Sequence, residues 1–170
     1  MSDAEPMIVL ENVYKIFGPN PRGRAFDLCS SGVGKDEVQR QTGHVVGMRD
    51  ISFDVQRGEI FVVMGLSGSG KSTAIRTVNK LHAVTHGRVL VDGIDVQQLR
   101  GANLQSFRRE KTAMVFQHFA LFPHRNVIDN TAYGLKVQGV DKKERHEAAI
   151  EALAMVGLEA YAFNATRQLS

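Results

Sequence analysis

Gly65, Gly70, Lys71 and Ser72 stand at the spacing G-x-x-x-x-G-K-S within the run "IFVVMGLSGSGKSTAIRTVNKL", Ile60 to Leu81. Four of the five residues Gly65, Ser67, Gly68, Ser69 and Gly70 are followed or flanked by others as small, so little bulk prevents successive backbone N–H groups from curling around an anion. A lysine directly after such a loop reaches the β- and γ-phosphates as a point charge, and the hydroxyl beside it can ligate Mg²⁺. Lys71 and Ser72 occupy those two places, with Thr73 next in line. The order of parts predicts a site for a nucleoside triphosphate. A Gly/Ser-rich loop matching by accident is the competing account, and the flanking elements argue against it.

Those elements are a strand before the loop and a helix after it. The block Ile60 to Met64 is apolar throughout, which suits a short strand buried on both faces of a parallel sheet. From Lys71 the chain reads as a helix with Ile75, Val78 and Leu81 at spacings of three, and the N-terminus of that helix would turn unpaired donors and a positive dipole end toward the loop. Met7 to Val13 reads as a first strand and Asp50 to Val55 as another, the latter because Ile51, Phe53 and Val55 alternate with polar residues. Arg57-Gly58-Glu59 turns the chain into the buried block. Gly18 to His44 is long for a loop in a compact domain and is expected to be an insertion with a short helix near Asp36 to Gln41. Arg88 to Val91 is a strand that closes on a hairpin turn at Asp92-Gly93, and that turn accounts for Asp92 better than a magnesium-positioning role does. Lys111 to Phe116 is expected to be a further strand. Asp141 to Val156 is the clearest helix, with a capping-box-like start at Asp141 and Glu144, an apolar face of Ala149, Ala152, Leu153 and Val156, and Gly157 as its stop.

Composition sets the outer limits. A chain of 170 residues allows one domain or part of one, and 43% hydrophobic with 23% charged residues is ordinary soluble material. The net charge of +3 is small. The basic cluster Arg100, Arg108, Arg109 and Lys111 lacks interleaved aromatics, so it reads as a solvated face and no nucleic-acid partner is expected. Cys29 is alone, which excludes an intramolecular disulfide and fits a reducing compartment. The start "MSDAEPMIVLENV" has neither the basic region nor the long apolar core of a secretory signal, and no segment is long enough to span a membrane. His82 and His86 lie four apart without an intervening acid, and Gly87 is expected to end the helix there, so they read as surface or packing residues rather than metal ligands.

"GLSGSGKST" (Gly65 to Thr73), "MVFQHFALFPHRNVIDN" (Met114 to Asn130) and "VYKIFG" (Val13 to Gly18) occur in an order that resembles the nucleotide-binding subunits of ABC transporters. The runs "ENVYKIFG", "TGHVVGMRDISFDV" and "GEIFVVMGLSGSGKST" look most like the subfamily that energises uptake of glycine betaine, proline and choline. The fold implied is α/β: a P-loop core with an antiparallel β flank and the start of a helical subdomain, residues 118–170, all within the N-terminal portion of one larger domain. By this resemblance Phe17 stacks on the adenine of ATP, with Tyr14 as the alternative. Ser67 to Thr73 hold the phosphates. Ser72 and Gln117 ligate Mg²⁺, and Gln117 also helps place the attacking water and reports the γ-phosphate to a permease. The segment from His118 to about Gln138 forms the edge that receives the permease. The implied partners are that membrane permease, a second copy of the ATP-binding subunit in a head-to-tail dimer, and indirectly a solute-binding protein. The implied location is the cytoplasmic face of the membrane.

One departure matters. In this family an "LSGG" signature, a strand ending in Asp-Glu and a switch histidine follow, whereas this sequence stops at Leu169-Ser170, where the signature would begin. Those missing groups supply a clamp on the γ-phosphate, the general base and its orienting partner. The 170 residues are therefore expected to bind nucleotide weakly and to turn over none. Two other classes remain open at this point: a nucleotide-binding or subunit-interaction module without catalysis, and a soluble P-loop kinase, in which the Gln117 segment would have no task.

Overall fold

The computed structural model describes residues 5–117 and 120–168. They fall into two compact units, Met1–Leu104 and Gln105–Ser170. In the first, β1 (Ile8–Phe17) is followed by α1 (Arg24–Ser30), α2 (Lys35–Thr42), β2 (Val45–Val55), α3 (Lys71–Val78), β3 (His86–Val91) and β4 (Ile94–Asp95), and the chain leaves through α4 (Gly101–Glu110). The strands form one antiparallel sheet in the order β2-β1-β3-β4.

β1 is the spine of this unit, pairing with β2 from Ile8–Val55 to Phe17–Val45 and with β3 from Ile8–Val91 to Tyr14–His86. Its fully buried residues are Leu10, Val13 and Ile16, three apart rather than two. Bulges explain that spacing, because an extra residue flips the following side chains to the other face. The first lies at Asn12, whose φ is +46° and whose Nδ2 donates to Asp50 Oδ1 at 3.0 Å while its backbone N–H donates to Ser52 Oγ at 2.9 Å. The sequence pattern accordingly placed these strands too short: β1 continues to Phe17, and Asp50 to Val55 is only the second half of β2.

The expected insertion at 18–44 holds two helices, of which α2 matches the predicted position and α1 was not predicted. Ala25 and Cys29 of α1 and Val38 of α2 pack on Ile16, with Tyr14, Phe26 and Val46 around them. This stretch is drawn together at its neck by His44, whose ring nitrogens lie 2.6 Å from the Pro19 carbonyl oxygen and 2.8 Å from that of Thr42. The hairpin at Asp92-Gly93 forms as expected, with φ of +51° and +72° at the two residues and Val91 paired to Ile94. A positive φ at both central positions matches the twist of the flanking strands. Arg57 closes on Asp92 with a 2.5 Å ion pair.

Three expectations fail in the structure. Ile60 to Met64 is irregular rather than a buried strand, with Ile60 91% and Met64 85% exposed. Lys111 to Phe116 is likewise irregular, with Val115 95% exposed. A strand of a parallel core needs hydrogen-bonding neighbours at its edges and cover on both faces, and the described residues supply neither for these two segments. Third, α3 ends at Val78, so His86 belongs to β3 and Gly87 stops no helix. Gly87 instead allows close strand packing: a Cβ there would collide with the carbonyls of Glu11 and Asn12. The helix itself buries Ala74 and Thr77, while Ile75 and Leu81 are exposed.

The second unit is helical: α5 (Val127–Thr131), α6 (Tyr133–Val137) and α7 (Lys142–Ala154), then two 3-10 turns at Glu159–Tyr161 and Thr166–Gln168. Its core is Val127, Ile128, Ala132, Ala149, Leu153 and Ala162. Asp141 caps α7 by accepting from the Lys143 N–H at 2.8 Å, and Gly157, with φ of +69°, ends it while the Leu158 N–H returns to the Leu153 carbonyl at 2.8 Å. That is the left-handed stop foreseen in the sequence. Ala149 and Leu153 of the expected face are buried, whereas Val156 lies beyond the helix and is exposed. His118 and Leu169-Ser170, to which the sequence assigns a subdomain edge and the start of a signature, lie outside the described residues.

Candidate functional site

The phosphate loop is built as its glycines require. Gly68 and Gly70 have φ of +76° and +95°, conformations in which a Cβ is penalised. Gly70 is also the N-cap of α3 and accepts from the Ala74 N–H at 2.9 Å. A side chain at Gly70 is excluded on a second ground, since its Cβ would strike the carbonyl oxygen of Gly47 in β2. The loop is thus pressed against the sheet at its last residue and open elsewhere: Gly65, Ser67, Gly68 and Ser69 are all exposed.

Lys71 begins α3 and folds back over the loop. Its Nζ donates to the carbonyl oxygens of Gly65 and Leu66, both at 2.7 Å, and lies 3.4 Å from Ser69 Oγ. The ammonium is therefore held at the loop mouth by the backbone that precedes it. Ser72 and Thr73 follow in the first turn of α3, with Ser72 exposed. Ser72 supplies a hard oxygen donor of the kind Mg²⁺ prefers, as does the amide oxygen of Gln117.

A cleft of about 630 Å³ lies alongside the loop, lined by Val46 to Arg49 of β2, Phe61 to Met64, and Gly68 to Lys71, with Lys35 at its margin. Phe61 stacks on Phe53 at 4.8 Å with the rings 15° from parallel, which keeps the irregular segment beside β2. Among the described residues, Lys35, Arg49 and Lys71 line the cleft and no carboxylate does. Such a lining favours an anion.

Phe17, to which the resemblance assigns adenine stacking, is placed at the last position of β1 and is half-buried. Lys15 Nζ stands 4.7 Å over its ring centre and His82 meets it edge-to-face at 5.3 Å. The alternative, Tyr14, packs against Phe26 at 5.2 Å in the core of the insertion. Sequence reasoning missed Lys15 and Gly47, whereas His82, read there as a surface or packing residue, packs edge-to-face on Phe17; the signal that could have found Lys15 is the aromatic it stands over in space, not any spacing along the chain. His82 is held below the ordinary imidazole range by burial first, and then by the cations Lys15 and Arg76. Lys15 is shifted down by burial.

Gln117 belongs to the second unit, on an exposed turn after Phe116. In the same unit, Phe122 to Asn130 is tied together by Asn130, whose Oδ1 accepts from the Phe122 N–H at 2.8 Å and whose Nδ2 donates to the Asn126 carbonyl at 2.9 Å. Arg125 lies over the rings of both Phe122 and Tyr133 at 4.7 Å.

The sequence profile described as ABC transporter matches residues 48–170. The chain belongs to the ABC transporter family. It is 48% identical over 161 residues to the glycine betaine/proline betaine transport system ATP-binding protein ProV of Escherichia coli, a match that takes in 95% of this chain and 40% of ProV. It is 46% identical over 169 residues to the glycine betaine transport ATP-binding protein OpuAA of Bacillus subtilis, covering 99% of the chain and 40% of that protein. The trimethylamine N-oxide transport system ATP-binding protein TmoW of Ruegeria pomeroyi is 46% identical over 153 residues, with 90% and 44% covered. Among solved structures, the dimeric post-hydrolysis state of the ATP-binding cassette MJ0796 bound to ADP and Pi superposes with a TM-score of 0.77 at 28% identity, over 96% of this chain and 63% of that one. This ABC transporter chain spans about 40% of the length of ProV and OpuAA. Among its described residues no helix is long and apolar enough to cross a membrane, and no group of three or more His, Cys, Asp or Glu is placed to hold a metal ion.

Proposed function

We propose that the chain is the N-terminal portion of the ATP-binding subunit of an ABC importer for glycine betaine, proline or choline-type solutes, working at the cytoplasmic face of the membrane. The observation that carries the nucleotide part is the loop itself: left-handed glycines at positions 68 and 70, and Lys71 Nζ gathered onto the Gly65 and Leu66 carbonyls beside a cationic cleft. The solute class is supported by the resemblance to ProV and OpuAA, which are named for glycine betaine/proline betaine and glycine betaine transport.

In this reading Gly65, Ser67, Gly68, Ser69 and Gly70 cradle the phosphates with their N–H groups, Lys71 neutralises the β- and γ-oxygens, and Thr73 adds a donor in the first helical turn. Phe17 offers its ring to the adenine. Bound Mg²⁺, held by Ser72 and Gln117, would neutralise charge on the phosphate oxygens. Partners are a membrane permease, received beside residues 118–138, a second copy of the subunit in head-to-tail arrangement, and indirectly a solute-binding protein. Residues 1–170 carry no recognisable general base, so alone they are expected to bind nucleotide weakly and to turn over none.

Uptake tests the reading at the level of the whole transporter. Lys71→Ala in the complete subunit, in cells lacking other betaine importers, abolishes ATP-dependent betaine uptake while subunit abundance is unchanged. Undiminished uptake would refute it.

A further inference from the structure

We propose that Gly47 is a positioning residue that fixes where the Phe17 ring lies and so sets the affinity for the base of a bound nucleotide. The inference rests on the reading of Phe17 and the phosphate loop above and adds to it a residue that has no side chain of its own.

Two independent observations meet at Gly47. In the pairing of β1 with β2 the register steps from Lys15–Met48 to Ile16–Val46, which leaves Gly47 as the extra residue of a bulge. Bulges locally re-aim the chain. Gly47 does not adopt a positive φ, so its backbone would accept alanine. The space would not: a Cβ there would lie 2.7 Å from Phe17 Cε2 and 3.4 Å from the Lys15 carbonyl oxygen. The nearer of these is the far edge of a side chain and the other is ordinary contact, so the ring gives way rather than the strand. Its edge must withdraw by about 0.7 Å to regain contact at 3.4 Å. Lys15 over the ring and His82 at its edge limit where it can go.

The same residue touches the other half of the site, because its carbonyl oxygen is the atom that forbids a side chain at Gly70. Gly47 is thus the wall shared by the aromatic ring and the last residue of the phosphate loop. A side chain added on the ring side should disturb binding of the base and leave binding of the phosphates alone.

The test titrates the 170-residue chain with Mg-ATP and, separately, with Mg-tripolyphosphate, which has phosphates and no base. Gly47→Ala is expected to weaken ATP binding about fivefold, part of the value of a base–aromatic stack, with tripolyphosphate affinity within about twofold of the unsubstituted chain. The tripolyphosphate measurement also shows that the variant is folded. In the Phe17→Ala background the further change Gly47→Ala should have no effect on ATP binding, since the ring it displaces is gone. Unchanged ATP affinity in Gly47→Ala would overturn the proposal, as would an equal loss for both ligands or a full additional loss in the double variant. If Lys71→Ala abolishes binding but Phe17→Ala changes nothing, the stacking role of Phe17 falls and this inference with it. If the unsubstituted chain binds neither ligand, the nucleotide reading itself is what fails.

Discussion

Gly68 and Gly70 form a matched pair in which the same substitution should have unequal effects. Both have left-handed φ, +76° and +95°, so alanine at either meets a backbone conformation that costs a non-glycine residue about 1–2 kcal/mol. They differ in surroundings. No described residue lies within 4 Å of a Cβ on Gly68, whereas a Cβ on Gly70 runs into the Gly47 carbonyl oxygen, a backbone atom of the sheet that cannot swing aside. Overpacking against fixed structure adds about 1–3 kcal/mol. Gly70→Ala should therefore lower the stability of the first unit by about 2–5 kcal/mol and Gly68→Ala by about 1–2 kcal/mol. Urea unfolding followed by far-ultraviolet circular dichroism would separate them as a difference in midpoint at equal slope. Equal destabilisation by the two variants would refute the reasoning, because it would mean that the contact between the helix start and β2 contributes nothing beyond backbone strain.

Asn126 caps α5 by accepting from the Asp129 N–H at 3.0 Å, so Asn126→Ala should destabilise the second unit by about 1 kcal/mol; a hydrogen-exchange measurement showing α5 amides unchanged would count against the cap. The lowered pKa of His82 gives a pH dependence whose sign is fixed: the folded chain resists a proton that the unfolded chain takes up near its ordinary value of 6.5. Stability of the first unit should be unaffected above that value and fall as the pH drops from it through the lowered folded value. His82→Gln should flatten this slope, and an unaltered slope in the variant would show that another group is responsible.

The parts of the structure that were legible in the sequence are those decided by local chemistry. The spacing of Gly65, Gly70, Lys71 and Ser72 gave the loop, Asp92-Gly93 gave a turn that needs two positive φ values, and Asp141 and Gly157 gave both ends of α7. What escaped depends on neighbours. Ile60 to Met64 has the composition of a buried strand, yet composition cannot supply the flanking strands that would pair with it, and among the described residues they do not form. β1 reads from the sequence as ending at Val13 because the bulge at Asn12 breaks the two-residue alternation that marks a strand. α1 has seven residues and no side-chain cap, so nothing announced it. Gly47 was invisible for a different reason: its role is the space it leaves for Phe17, and an absent side chain makes no pattern.

Calorimetric titration of the 170-residue chain with Mg-ATP, beside its Lys71→Ala variant, asks whether Gly65 to Thr73 bind the phosphates of a nucleotide. Weak, saturable one-to-one binding is expected for the first and its loss for the second, with circular dichroism spectra that superimpose because, among the described residues, Lys71 Nζ bonds to the exposed loop alone. Equal binding by both chains would contradict that role.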